Sequence, residues 1–303
     1  MDWGELEAWL TARPAIRWQA RAPLAAYTSW RLGGPARLLI WPDDPDTCRQ
    51  LVDYCRRQGY PVLFLGRGTN LLVADTGVEA AVLHTGSLTD VEWDGDTVRA
   101  AAGLPLARLA EAAGERGLTG LEFAGGIPGS LGGALVMNAG AYGGQMSDLT
   151  RSVRALDPAG RLHDLTGPEL GYGYRASRLR GQGWLVLSGS LTLRPGDRAE
   201  IQARTAAYLA RRREKQPLEL PSGGSVFRNP TGEGAGRFIE RAGLKGRRLG
   251  QMQVSPKHAN FIVNLGGGTA AAAKALIEEI QAEVARRFQV ELEREVVFWG
   301  FDP

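Results

Sequence analysis

Two glycine-rich stretches hold the residues in this 303-residue chain best suited to chemistry. The first is Gly66, Arg67, Gly68, Thr69, Asn70 and Leu71, which follows an apolar run and offers small residues, bare backbone N–H groups and side-chain donors. Successive N–H groups of this kind form a nest that cradles phosphate without a helix N-terminus. A plain structural turn accounts for so short a pattern equally well. About sixty residues later comes the second stretch, Gly125-Gly126-Ile127-Pro128-Gly129-Ser130-Leu131-Gly132-Gly133-Ala134, followed by Asn138-Ala139-Gly140. A flexible linker of that glycine content should be polar and rich in serine. This one holds Phe123, Ile127, Leu131, Leu135, Val136 and Met137, so it reads as a packed segment drawn closely around something. Together the two stretches would line the two sides of an extended dinucleotide.

More familiar sites fail on inspection. Leu71 stands where the third Rossmann glycine belongs, and a strand rather than a helix is predicted after the loop. No GxxxxGK(S/T) phosphate loop is present. A nucleophile elbow fails at Ser130, where Pro128 takes the first glycine position, and at Ser225, where Phe227 takes the last. The three histidines, His84, His163 and His258, are scattered without metal-ligand spacing, and a serine-hydrolase triad is not expected. Cys48 and Cys55 lie seven residues apart in a predicted helix. That places them about 10 Å apart along its axis, too far for a disulfide.

The elements that must hold these stretches alternate strands with helices. Strands are predicted over 36–41, 61–65, 71–73, 80–83, 97–102, 184–193, 259–265 and 295–298. Helices are predicted over 47–58, 106–116, 199–213, 236–242 and 270–288, the last capped by Thr269 with Leu276, Ile280, Val284 and Phe288 as its core stripe. A net charge of +3 is diffuse, the basic residues being arginine except for four lysines, which argues against a nucleic-acid partner. The first ten residues carry Asp2, Glu5 and Glu7 and no basic lead, and no apolar run reaches about 18 residues. The expectation is a soluble, cytoplasmic protein with no metal and no membrane contact.

The glycine stretches do not stand alone. Thr28-Ser29-Trp30-Arg31-Leu32-Gly33-Gly34-Pro35-Ala36 precedes them, and Tyr174-Arg175-Ala176-Ser177, Lys215-Gln216-Pro217, Gly224-Ser225-Val226-Phe227-Arg228-Asn229-Pro230 and Ala242-Gly243-Leu244-Lys245-Gly246 follow. His258-Ala259-Asn260-Phe261 and Glu295-Val296-Val297-Phe298 complete the series. In this order, over about 27 to 300, the blocks resemble the UDP-N-acetylenolpyruvoylglucosamine reductase family. Tyr27 stands where the family usually has asparagine, and Gly224 where it often has alanine. The stretch from Pro195 to Ser225 is too short for the inserted tyrosine loop of longer members, so the chain resembles the shorter type.

The resemblance implies an α+β fold: an FAD-binding unit of the vanillyl-alcohol-oxidase (PCMH) type in two subdomains, about 27–84 and 85–194, after a helical lead-in over 1–26. A smaller α+β substrate-binding domain over 195–303 would return its last strand to the active site. It implies non-covalent FAD held by Gly66 to Leu71, by Gly125, Gly126, Ile127, Pro128, Gly129, Ser130, Gly133 and Ala134, and by Asn138 and Gly140. It implies NADPH as hydride donor and UDP-N-acetylglucosamine enolpyruvate as substrate, in peptidoglycan precursor synthesis by a monomer. Arg175, Ser225 and Glu295 match the catalytic residues, and Tyr174, Lys215 and Asn229 the substrate-binding ones. Reduction of an enolpyruvyl ether delivers hydride to the methylene carbon and builds charge onto the neighbouring carboxylate. A permanently charged guanidinium suits that carboxylate, and a serine suits protonation of so basic a carbon. Two other readings are a different flavin oxidase of the same superfamily and a non-catalytic flavin-binding protein. The many oxidases that attach FAD through histidine or cysteine are disfavoured, since neither residue occurs in 66–72 or 120–144.

Overall fold

Local capping chemistry sets the limits of most helices. The computed structural model describes residues 2–181, 183–230 and 232–301. Helix α1 (Trp3–Thr11) starts at Asp2, whose carboxylate accepts from Gly4 N. Helix α2 (Pro45–Gln58) starts at Asp44 and ends at Gly59 in the left-handed region, where glycine alone escapes the Cβ clash. Both cysteines lie buried and unpaired on α2, and burial pushes each thiol up to about 12. Helix α3 (Leu106–Glu115) and the short α4 (Leu131–Met137) follow. Then come the long α5 (Arg198–Lys215), α6 (Ala235–Arg241) and α7 (Ala270–Phe288). Thr269 caps α7 as expected, accepting from Ala272 N. No helix among the described residues is long and apolar enough to cross a membrane.

Contacts gather the chain into two units whose segments interleave. The first comprises Met1–Arg21, Arg37–Arg67 and Ala80–Ala210; the second comprises Ala22–Ala36, Gly68–Glu79 and Arg211–Pro303. This division cuts across the expected stretches 1–26, 27–194 and 195–303, whose ends at Met1, Asp302 and Pro303 lie outside the described residues.

The first unit has two sheets. The smaller runs in the order Arg17–Pro23, Pro35–Trp41, Val78–His84, Val62–Leu65, its last two strands parallel. With α1 and α2 it encloses Leu6, Leu10, Leu38, Ile40, Leu51 and Leu83. The larger sheet is antiparallel, in the order Leu162–Thr166, Thr150–Leu156, Leu185–Thr192, Thr97–Ala101, Val91–Asp94. It packs α3 and α4 through Val98, Leu106, Leu109, Leu131, Leu135, Val153 and Leu191. Leu156, Leu185 and Leu187 reach from this sheet into the core of the smaller one, so the two subdomains share apolar surface.

The second unit carries an antiparallel sheet in the order Ser222–Ser225, Phe261–Asn264, Met252–Val254, Arg248–Leu249. The strands Leu71–Val73 and Val297–Trp299 pair in parallel beside it in the chain's second core. That core holds Trp30, Leu72, Phe227 and Ile262 with Leu276, Ile277, Ile280 and Val284 of α7. Helices segregated from mostly antiparallel sheets make this an α+β fold.

Helix α7 has a second anchor that its own segment does not supply. Asp75 accepts from Ala270 N and Ala271 N at 2.8 and 2.9 Å, placing a carboxylate on the positive end of the helix. Asp75→Ala should therefore cost about 1 kcal/mol and lower the melting temperature by a few degrees. An unchanged melting curve would mean that the Thr269 cap suffices.

Candidate active site

Gly66, the start of the first glycine stretch, meets the second stretch within the first unit. Gly66 follows the strand Val62–Leu65, and a Cβ placed on it would lie 2.5 Å from Ser130 Oγ. Ser130 caps α4 by accepting from Gly133 N, and its bridge with Pro105 ties the segment to the turn that begins α3. Leu131 N and Gly132 N donate to the carbonyls of Leu104 and Ala102. The segment is packed, as its apolar content predicts: Leu131, Ala134 and Leu135 are buried. Ahead of it the buried Glu122 accepts from Thr119 Oγ1, Gly120 N and Arg204. Burial pushes its carboxyl up, but these hydrogen bonds outweigh that and hold it below the usual range.

The glycines here have different causes. At Gly132 a Cβ would stand 2.9 Å from Ala102 Cβ and 3.1 Å from its carbonyl, so close helix–strand contact demands glycine. Gly129 has φ +135°, which excludes a side chain on backbone grounds. Gly133 is the exception, since its Cβ would meet only Ser130 Oγ at an ordinary 3.6 Å. The fold itself would accept alanine there, and a helix interior favours alanine over glycine by about 1 kcal/mol. A bare backbone kept where the protein has room fits close approach of a cofactor. The segment Gly125–Ala134 therefore suits FAD, with Gly66 beside it.

Downstream, Asn138 closes α4 in the left-handed region, φ +43°. Its side chain is 2% exposed and engaged by protein groups: it donates to Gly173 O and Gln145 Oε1 and accepts from Ser147 N. What it can offer a cofactor is its main chain. Arg175 is partly buried in the same unit, with φ +54°, and donates from Nη2 to Gly140 O at 2.8 Å. Tyr174 beside it is half exposed, its ring 5.3 Å from the guanidinium carbon.

The second unit brings the main chain of Glu295 onto Val226, the residue after Ser225. Ser225 ends a strand that is bulged against its neighbour between Ser222 and Ser225. Gly223 presses on Trp30, where a Cβ would come 2.8 Å from Cζ3, and Gly224 turns through φ +76°. Such a bulge re-aims the side chain that follows it. Val226 then takes up the strand's fixed path, donating to Asn260 O and accepting from Glu295 N at 2.8 Å. Asn260 also clasps Phe227 through its side chain, accepting from N and donating to O. Asn70 completes the corner by donating to Glu295 O, while its own carbonyl accepts from Val297 N. Among the described residues the Ser225 hydroxyl makes no hydrogen bond. Gly68 is explained by packing, since a Cβ there would collide with the Tyr27 carbonyl.

Of the other expected substrate residues, Lys215 is the exposed last residue of α5. Asn229 is exposed and accepts from Ala235 N at the start of α6, and among the described residues its amide N–H groups make no hydrogen bond. The supports Glu122, Asn260 and Asp75 are not singled out by the sequence. Apart from the Thr119 hydroxyl on Glu122, their partners are distant in the chain or are main-chain groups, and only the Asn in the His258–Phe261 block hinted at one of them.

Comparison with known proteins fits this geometry. A family profile described as the C-terminal domain of UDP-N-acetylenolpyruvoylglucosamine reductase matches residues 216–299, and an FAD binding domain profile matches residues 36–166. UDP-N-acetylenolpyruvoylglucosamine reductase 2 of Symbiobacterium thermophilum is 46% identical over 93% of this chain and 92% of its own length. The chain belongs to the UDP-N-acetylenolpyruvoylglucosamine reductase family. The family member from Limosilactobacillus fermentum is 44% identical over 98% of this chain and 99% of its own. The crystal structure of the Thermus caldophilus family member superposes with a TM-score of 0.80 at 34% identity, covering 94% of this chain and 98% of that one. Membership makes the chain a flavoprotein oxidoreductase with FAD as its cofactor.

The three classes of glycine give a test of where FAD lies. Gly133→Ala should leave the apoprotein as stable as before or slightly more so, while weakening FAD binding in titrations. Gly132→Ala should lower apoprotein stability instead. Undiminished FAD affinity in Gly133→Ala would move the cofactor away from α4.

Proposed function

We propose that this chain reduces UDP-N-acetylglucosamine enolpyruvate to UDP-N-acetylmuramate with NADPH, as a cytoplasmic monomer supplying peptidoglycan precursor, and that Arg175, Ser225 and Glu295 carry the step. The observation that supports the assignment best is the hydrogen bond from Glu295 N to the carbonyl of Val226, which follows Ser225, whose hydroxyl makes no hydrogen bond among the described residues. The family relatives support the substrate, and the diffuse charge leaves no basic stripe for nucleic acid.

FAD, held by Gly66 to Leu71 and the α4 segment, would supply the hydride transfer that links NADPH to the methylene carbon of the enolpyruvyl group. The residues of the chain then handle charge and proton. As hydride arrives, negative charge collects on the substrate carboxylate and its adjacent carbon. The Arg175 guanidinium, steadied by its bond to Gly140 O, binds that carboxylate and lowers the energy of the charge as it develops. Ser225 gives its hydroxyl proton to the adjacent carbon, a transfer an alcohol can make only to a centre of higher proton affinity. Glu295 sits on the same corner and holds the serine and its proton supply in register. Tyr174, Lys215 and the amide of Asn229 bind the nucleotide-sugar end. FAD is held without a covalent bond, by Gly66 to Leu71 and the α4 segment.

Purified protein should be yellow and release its flavin on denaturation. Anaerobic NADPH should bleach it, and the enolpyruvyl substrate should restore the colour. Failure of restoration would remove the substrate assignment. Ser225→Ala should leave flavin reduction by NADPH near wild type and slow reoxidation by about 10² to 10⁴. Equal slowing of both halves would favour a structural serine. Glu295→Gln should reduce turnover strongly at unchanged flavin content, and unchanged turnover would exclude Glu295.

A further inference from the structure

The hairpin that carries Arg175 is built against its own backbone preference. Gly173 and Ala176 exchange both main-chain hydrogen bonds, N–H to O at 3.0 and 3.2 Å, leaving Tyr174 and Arg175 as a two-residue tip. Arg175 has φ +54° there, a left-handed conformation that a residue with a long side chain rarely adopts. Such strain persists where the surroundings over-determine it. Three contacts do so. Asn138 Nδ2 donates to Gly173 O at 3.0 Å, just before the tip. Ser177 Oγ donates to Val136 O at 2.7 Å, just after the tip. Arg180 Nη1 donates to the Arg175 carbonyl itself at 2.8 Å.

The first two contacts reach the same object. Val136 belongs to the last turn of α4, whose carbonyls have no partner within the helix, and Asn138 is its C-cap. The far end of the Arg175 side chain lands two residues beyond that cap, through Nη2 to Gly140 O. The other groups of Asn138 fix its amide plane: Oδ1 accepts from Ser147 N at 2.9 Å, and Nδ2 also faces Gln145 Oε1 at 3.3 Å. Reversing the amide would put a carbonyl against Gly173 O and an N–H against Ser147 N, so only one orientation satisfies every partner.

We infer that Asn138 is a positioning residue for Arg175: its side-chain amide, with the Ser177 hydroxyl, clamps the arginine hairpin onto the C-terminal end of α4. The sequence resemblance assigns Asn138 to the cofactor, whereas the observed contacts direct its side chain to the hairpin. The helix whose N-terminal half offers the bare backbone of Gly133 thus holds the substrate-binding arginine with its other end. Anything that shifts α4 shifts both. The inference rests on the assignment of Arg175 to the substrate carboxylate.

The test separates the half-reactions in the FAD-loaded enzyme. Asn138→Gly keeps the left-handed backbone without cost and removes the clamp, and Asn138→Asp keeps the acceptor for Ser147 N while removing the donor to Gly173 O. Ser177→Ala removes the second clamp and leaves Asn138 untouched, should the Asn138 variants fold poorly. The expected result is flavin content unchanged, flavin reduction by NADPH within about threefold of wild type, and reoxidation by substrate slowed about 10- to 100-fold, the size of effect that misplacing a reacting group brings. Substrate affinity, measured by calorimetry on the oxidised enzyme, should fall with it. Arg175→Lys should show the same pattern, and combining it with Asn138→Gly should add less than about threefold, because two changes acting through one group do not compound. Loss of flavin from a variant that still folds would return Asn138 to the cofactor site and overturn the inference. Multiplicative losses in the double variant, or equal slowing of both half-reactions, would make the role generally structural and overturn it as well. Arg175→Lys with undiminished reoxidation would instead defeat the assignment of Arg175, and the positioning role with it.

Discussion

Close backbone approach around α4 is the constraint on which the first unit depends. A seven-residue helix cannot be stable alone, because nucleation costs more than so few hydrogen bonds return. It persists because its surface lies directly on the larger sheet. Gly132 touches Ala102, and a Cβ on Gly189 of the central strand would stand 2.6 Å from Leu135 Cδ1. Leu131 and Leu135 are thereby fully buried. Close packing of this kind transmits displacement instead of absorbing it. A short rigid helix is therefore a fitting place for groups that must be held to a fraction of an ångström.

Both ends of α4 are closed by polar side chains with a second contact. Ser130 caps the N-terminus and lies against Gly66, so the cap also sets the gap between the two glycine stretches. Asn138 ends the helix and engages the hairpin of Arg175. The glycine-rich segment looks permissive in composition, yet its conformation is among the most tightly determined in the chain.

The second unit solves a similar problem with strands. A bulge at Gly223 and Gly224 places Ser225, and the following residues are locked by both faces of the Asn260 side chain. Trp30 fills the space that Gly223 leaves and donates to Ile262 O at 2.7 Å. The corner that carries Ser225 and Glu295 is thus braced by a buried indole, a buried amide and hydrogen bonds from the side chain and the carbonyl of Asn70. A small nucleophile-sized side chain gains its direction from the backbone, and the backbone gains it from large buried neighbours.

Much of this was legible in the chain alone, wherever the cause is local. The body of α2 was expected over 47–58, although the Asp44 cap starts it two residues earlier at Pro45, and the limits of α7 follow from Thr269 and its apolar stripe. The glycine stretches announced close approach to a ligand, and the ordered motif series pointed to the family and to Arg175, Ser225 and Glu295. Strands Thr150–Leu156 and Leu162–Thr166 escaped notice because their stability comes from cross-strand pairing, with polar and charged residues interrupting the apolar pattern. Helix α4 escaped because three glycines around its start carry no helical propensity, and tertiary contact overrides that deficit. Only the folded structure distinguishes Gly132, required by packing, from Gly133, where the fold leaves room. Likewise, a sequence names Asn138 but not what its amide faces, since Gly173 lies 35 residues away and becomes its neighbour through the sheet between them. Local chemistry sets where elements start and stop; the three-dimensional packing decides which side chains meet, because those partners are chosen by distance in space.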